Sequence, residues 1–313
     1  MNTDELLESI NEQRALVAAK LKDDPLPANE KEARLRLESE IAKYKLEKHV
    51  VELEMNGYTI LPPGVGAPIG LTDRIRAAVL RVGEARQLTN QAAKMGVQTG
   101  LGKNNFLLLN EDRVIEEAVM NPVMLTMVTY LVGYRAKLIT SNGTIKTNES
   151  DANLYFHTDL SGRVLPPWPE YSFTANVNWL LTDYNRENGA LCVVPGSHLW
   201  RKPPPRDFPH DHPDVEVVNA PAGSLIVWHA GLWHGALRRT AEGKRLLMIL
   251  LFARSFYSGP EPYWLTTTKE MIERNPARFG VLMGLQEIAP WGRRGPSPDI
   301  VAAGQVRDMG KWT

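Results

Sequence analysis

The chain has 313 residues, 43% of them hydrophobic and 23% charged, which is the composition of a globular protein able to bury a sizeable core. Lys plus Arg equals Asp plus Glu at 36 each, so no net field draws the chain to nucleic acid or to an anionic membrane surface. One cysteine, Cys192, excludes an internal disulfide, and no apolar run approaches the ~20 residues of a membrane span. The acidic start MNTDELLESINEQ lacks the apolar core of a secretory signal, and the expectation is a cytoplasmic protein.

Residues 1–56 read as a charged helical extension, broken at DDPLPANE. Its second part opens with Asn29 followed three residues later by Glu32, a capping-box spacing. Leu35, Leu37, Ile41, Tyr44, Val51 and Leu53 then suit one helical face, with Gly57 as the terminator. YTILPP reads as a short strand, and helices are predicted over Thr72–Leu88 and Asn121–Val132. The latter carries Asn at the cap, Pro122 at the first helical position and Gly133 just past the end.

From about residue 135 short β-type runs follow one another. They are AKLITSN, GTIKTN, NLYFHTDL, SFTANVNWLLTDY, ALCVVPG, VEVVNA, SLIVWHA, LWHGALRR and RLLMILLFARS. Turn-forming groups such as NRENG, NAPAG and RTAEGK separate several of them. Short strands without intervening helices argue for an antiparallel barrel or double-sheet jelly roll, so the fold class is mainly β with flanking helices (α+β). One further helix is expected near TTKEMIERN. The expected organisation is a helical extension over 1–56, a barrel domain with bracing helices over 57–290 and a tail over 291–313.

Within YFHTD, strand alternation sends His157 and Asp159 to one face, with Thr158 opposite. For an isolated His-x-Asp a solvated edge strand is the simpler reading. His234, however, sits in the apolar strand LWHGAL, where an unpaired imidazole is costly. Arg245 follows eleven residues later at the head of RLLMILLFARS, and a guanidinium there wants a carboxylate or phosphate. Two imidazoles and one carboxylate on one face form the facial set that holds non-haem Fe(II) and leaves adjacent positions open.

The order HxD, NGALxVxPGSH, WHG and a distal Arg, with LEMNGYTILPP upstream, resembles the phytanoyl-CoA dioxygenase family of Fe(II)/2-oxoglutarate-dependent oxygenases over roughly residues 50–290. The resemblance implies a double-stranded β-helix (cupin-like) core. It implies His157, Asp159 and His234 as iron ligands, Arg245 as the 2-oxoglutarate anchor and Asn178 as a second contact to that co-substrate. It also implies O₂ as co-substrate and a small organic molecule as substrate, hydroxylated with release of succinate and CO₂. A homo-oligomer is compatible with it. Many members carry Ser two residues after the distal His; this chain has Ala236, and Thr240 is the candidate replacement.

His229 is a rival for the distal ligand, but it ends SLIVWH, whereas His234 opens the strand leading toward Arg245. His210 and His212 lie in a Pro-rich loop and His198 in a turn, none in a strand context. Trp168, Trp179, Trp200, Trp228 and Trp233 read as core or barrel wall, with Trp233 and Tyr155 as candidates to line the cavity. LSGRVLPPWPEYS, residues 160–172, is expected to act as a lid. Competing readings are a cupin-like binding protein without turnover, a zinc hydrolase on the same ligands, and desaturation or rearrangement at the same site.

Overall fold

The computed structural model describes residues 2–88, 103–148, 152–286, 291–292, 295–296 and 310–313. Most of the tail expected over 291–313 therefore lies outside the described residues. Two antiparallel sheets face one another. The larger runs β1 (Tyr58–Leu61), β8 (Leu225–His229), β5 (Thr174–Leu180), β10 (Arg245–Ala253), β3 (Lys137–Lys146) and β2 (Lys103–Asn105). The smaller runs β4 (Leu154–His157), β9 (Trp233–Ala236), β6 (Leu191–Val194) and β7 (Glu216–Val217). This is the jelly-roll core that the run of short strands called for.

Alternation divides each strand of the large sheet between two environments. Ala175, Val177 and Trp179 of β5 join Val227, Met248 and Leu250 in one apolar cluster with α4 (Leu71–Leu88) and α6 (Pro122–Val132). Each aliphatic side chain buried there contributes about 1.5–3 kcal/mol. The intervening residues Asn176 and Asn178 are buried on the opposite, barrel-facing side. α6 begins as its sequence requires: the Asn121 side chain accepts from Met124 N, Pro122 follows, and Gly133 at φ 83° ends the helix. α5 (Arg113–Val119) precedes it. Among the described residues no single helix is long and apolar enough to cross a membrane.

Three expectations are corrected. Residues 29–56 form two helices, α2 (Glu30–Tyr44) and α3 (Glu47–Asn56), because Lys45 adopts a left-handed conformation at φ 57° and Leu46 then turns into the core. Within each helix, residues two apart point to nearly opposite sides, so Leu35 and Val51 are 52% and 54% exposed while Leu37 and Leu53 are buried. AKLITSN and GTIKTN are one strand, β3, in which Gly143 is extended and paired with Met248. A Cβ at Gly143 would lie 3.1 Å from both Val79 methyls, so this glycine serves the close approach of α4. Finally, Trp200 is 45% exposed and is not a core residue.

Candidate active site

β4 ends at His157, and β9 pairs with it so that His157 and His234 stand directly opposite. Their rings lie 4.2 Å apart between centroids. Asp159 follows the strand in a turn, not on the strand itself. Its position comes from its own N–H, which donates to the Ala230 carbonyl at 3.1 Å, while the buried Thr158 bonds Ser161. The expected convergence of the HxD pair thus has a different cause from simple alternation. One donor atom from each of His157, Asp159 and His234 falls within 4.8 Å of the others.

The neighbours of these side chains orient them as metal ligation would require. Nδ1–H of His157 donates to the Tyr155 carbonyl at 3.0 Å, and Nδ1–H of His234 to the Leu232 carbonyl at 3.0 Å. Both tautomers so fixed leave Nε2 with its lone pair. Burial first, then the closeness of the His157 ring, pushes His234 down to about 4, so its imidazole is neutral at physiological pH. One oxygen of Asp159, Oδ2, accepts from the Trp228 indole at 3.2 Å and from the Asn176 amide at 3.5 Å. The other, Oδ1, is 3.8 Å from Nε2 of His234. This donor set, with neutral nitrogens and one oriented carboxylate, fits a divalent iron.

From the triad a polar row runs along the inside of the large sheet. Asn176 and Asn178 are 7% and 3% exposed, and the side-chain oxygen of each is buried without a hydrogen-bond partner. Two open acceptors this deep need an incoming donor or water, or the amides turned so that nitrogen points inward. Arg245 closes the row. Its Nη1 donates to the Tyr184 hydroxyl at 2.8 Å and to the Gly189 carbonyl at 3.1 Å, with the guanidinium 5.2 Å from the Tyr184 ring. Gly189 comes from NRENG; at φ 72° it packs so closely that a Cβ would sit 2.8 Å from the Leu237 carbonyl.

The rival histidines go elsewhere. His229 is on the sheet face opposite Trp228, accepts from Gly231 N at 3.0 Å and donates to the Glu170 carbonyl at 3.2 Å. His198 packs against it at a tilt, with ring centroids 5.2 Å apart, and donates to the Glu54 carbonyl. His210 ties its loop to the Leu154 carbonyl, and His212 lies 3.7 Å from Asp214. Trp233 packs with Phe156, Cys192 and Val194 on the outer face of the small sheet, so it does not line the cavity. Tyr155 is 67% exposed beside His157, with ring centroids 5.4 Å apart. Cys192 is fully buried and burial pushes its thiol up to about 11, leaving it inert as expected.

Sequence reasoning misses two participants. Trp228 reads as core, although its indole reaches Asp159. Asn176, two residues before Asn178, is legible from alternation along ANVNWL. Thr240, the expected helper of Arg245, is exposed and its hydroxyl bonds the Glu187 carbonyl 3.4 Å away.

Residues 53–246 match the family described as phytanoyl-CoA dioxygenase (PhyH). The chain is 29% identical over 223 residues to dioxygenase af480 of Aspergillus fumigatus, covering 67% of this chain and 69% of that protein. It is 33% identical over 129 residues to an uncharacterized protein of Mycobacterium tuberculosis, covering 41% of this chain and 45% of that one, so it spans under half of that relative's length. In fold it is similar to HygX of Streptomyces hygroscopicus, solved with nickel, 2-oxoglutarate and hygromycin B bound. That likeness has a TM-score of 0.54 at 20% identity, over 68% of this chain and 88% of HygX.

Proposed function

The chain belongs to the phytanoyl-CoA dioxygenase family of Fe(II)/2-oxoglutarate-dependent oxygenases, and we propose that it hydroxylates a small organic molecule at the site formed by His157, Asp159 and His234. One observation carries this reading: three donor atoms within 4.8 Å, each oriented by a partner that leaves its lone pair free. Iron and 2-oxoglutarate, when bound, supply the activation of O₂, with succinate and CO₂ as by-products and one oxygen atom left for a substrate C–H bond.

The protein's own residues do the rest. His157 and His234 present Nε2, and Asp159 presents Oδ1 while Trp228 and Asn176 hold its other oxygen. Arg245, buried at 1% exposure, offers a guanidinium to the far carboxylate of 2-oxoglutarate. Asn178 lies between, with its amide directed into the same row. Asp159 also bears on the outcome. An anionic ligand held by two hydrogen bonds leaves no vacant position for a halide, which favours oxygen insertion over halogenation. The domain is taken to run over 57–290, with the helices of 1–56 as its extension.

The test is succinate release from 2-oxoglutarate with Fe(II), ascorbate and a panel of small metabolites. His157→Ala and His234→Ala should abolish it and weaken Fe(II) binding while the far-UV spectrum is unchanged. Near-wild-type turnover in either variant would remove that residue from the ligand set. Turnover with Zn²⁺ in place of Fe(II), independent of 2-oxoglutarate, would favour a hydrolase.

A further inference from the structure

Residues 160–172 lead from Asp159 toward β5, and both ends of this segment are tied to one residue, Ala230, just past β8. At the outgoing end the Asp159 N–H donates to the Ala230 carbonyl at 3.1 Å. At the returning end the Ala230 N–H donates to the Ser172 hydroxyl at 2.8 Å. Both backbone groups of Ala230 are thereby used, and the neck of the loop shares its support with the turn that carries Asp159.

The loop builds a small core on the same support. Buried Leu160 and Trp168 cluster with Ala230, and Val164 and Phe173 pack around them. Ser172 is buried as well, and three bonds fix it. Its hydroxyl donates to the Thr174 carbonyl at 2.6 Å, which leaves a lone pair for the Ala230 N–H. Its carbonyl accepts from Nε of Arg254 at 2.8 Å. Arg254, buried just past β10, donates from its other nitrogens to the carbonyls of Leu131 in the last turn of α6 and of Lys311, at 3.2 and 3.0 Å. The returning end of the loop is thus fastened to the helical layer.

The path from Ser172 to the metal ligand is short. Ala230 lies two residues beyond Trp228, so a single stretch of chain holds Asp159 twice. The Trp228 indole holds its carboxylate, and the Ala230 carbonyl holds its backbone. Without the Ser172 hydroxyl the buried Ala230 N–H loses its acceptor, and the neck loosens where Asp159 is attached. Metal binding would then carry the cost of ordering its own ligand.

We propose that Ser172 is a positioning residue for Asp159, acting through Ala230, and that the base of the 160–172 loop and the metal site order one another. The proposal rests on the oxygenase reading above. It gives the loop a task beyond covering the substrate. Whatever settles its base tightens the metal site, and the metal in turn settles the loop, because coupling between two sites is reciprocal.

The test is Ser172→Ala, with Fe(II) alone as the probe. Equilibrium dialysis should show the Kd for Fe(II) raised about 3- to 10-fold, the worth of one neutral hydrogen bond, with the far-UV spectrum unchanged. Amide hydrogen exchange over residues 158–172, followed by mass spectrometry, should be faster in the metal-free variant than in metal-free wild type. Fe(II) should slow that exchange in the wild type. Ser172→Thr, which keeps the hydroxyl, should restore affinity and protection together. Faster loop exchange with unchanged Fe(II) affinity would overturn the proposal, because Ser172 would then serve the loop alone. Loop exchange in the wild type that is indifferent to bound Fe(II) would overturn it as well. Should Ser172→Ala not fold, Ser172→Cys, a weaker acceptor of similar size, is judged on the same criteria. Failure of the wild type to bind Fe(II) at all would instead sink the oxygenase reading itself.

Discussion

Trp228 on β8 donates its indole N–H to Oδ2 of Asp159 at 3.2 Å, across the 69 residues that separate them in sequence. The bond fixes which carboxylate oxygen is left for a metal. Trp228→Phe keeps the ring and removes the donor, so Asp159 is held by the longer Asn176 contact alone. Fe(II) affinity should fall about 10- to 100-fold, as for other outer partners of metal ligands, with thermal stability little changed. Equilibrium dialysis against Fe(II) checks this, and an unchanged affinity would reduce Trp228 to a wall residue.

Arg245 makes a prediction separable from the metal. Arg245→Ala should raise the 2-oxoglutarate requirement about 10- to 100-fold while leaving the Fe(II) requirement near wild type. Arg245→Lys should rescue only in part, since a point charge cannot reproduce the fork. Paired titrations of succinate formation against Fe(II) and against 2-oxoglutarate separate the two; equal loss in both would assign Arg245 to the fold.

The loop over residues 160–172 has an anchored end and an exposed tip. Trp168 is 2% exposed, with its backbone N–H on the Arg201 carbonyl and its indole N–H on the Val164 carbonyl. Leu165 is 88% exposed, three residues before that anchor. We expect the tip, not the whole loop, to close over substrate. Proteolytic cleavage between Ser161 and Pro167 should slow with substrate bound, and Leu165→Asp should raise KM more than it lowers kcat. Equal cleavage with and without a verified substrate would count against closure.

Much of this site was written locally. The caps of α2 and α6 follow from Asn29, Asn121 and Pro122, whose chemistry acts within a few residues. The spacing of His157, Asp159, His234 and Arg245 named the polar residues that an apolar strand tolerates only for a purpose. The division of α2 from α3 was less legible, because it depends on the left-handed backbone of one residue, Lys45. What the sequence could not express was pairing. Alternation tells which residues of one strand share a face, but not which strand lies beside it. Only the register of β3 on β10 brings Lys146 opposite Arg245, and only the bond of the Asp159 N–H to the Ala230 carbonyl, just past β8, brings Asp159 to Trp228. Those contacts join residues tens of positions apart through hydrogen-bond ladders whose choice depends on the whole core, so they were decided by the tertiary structure.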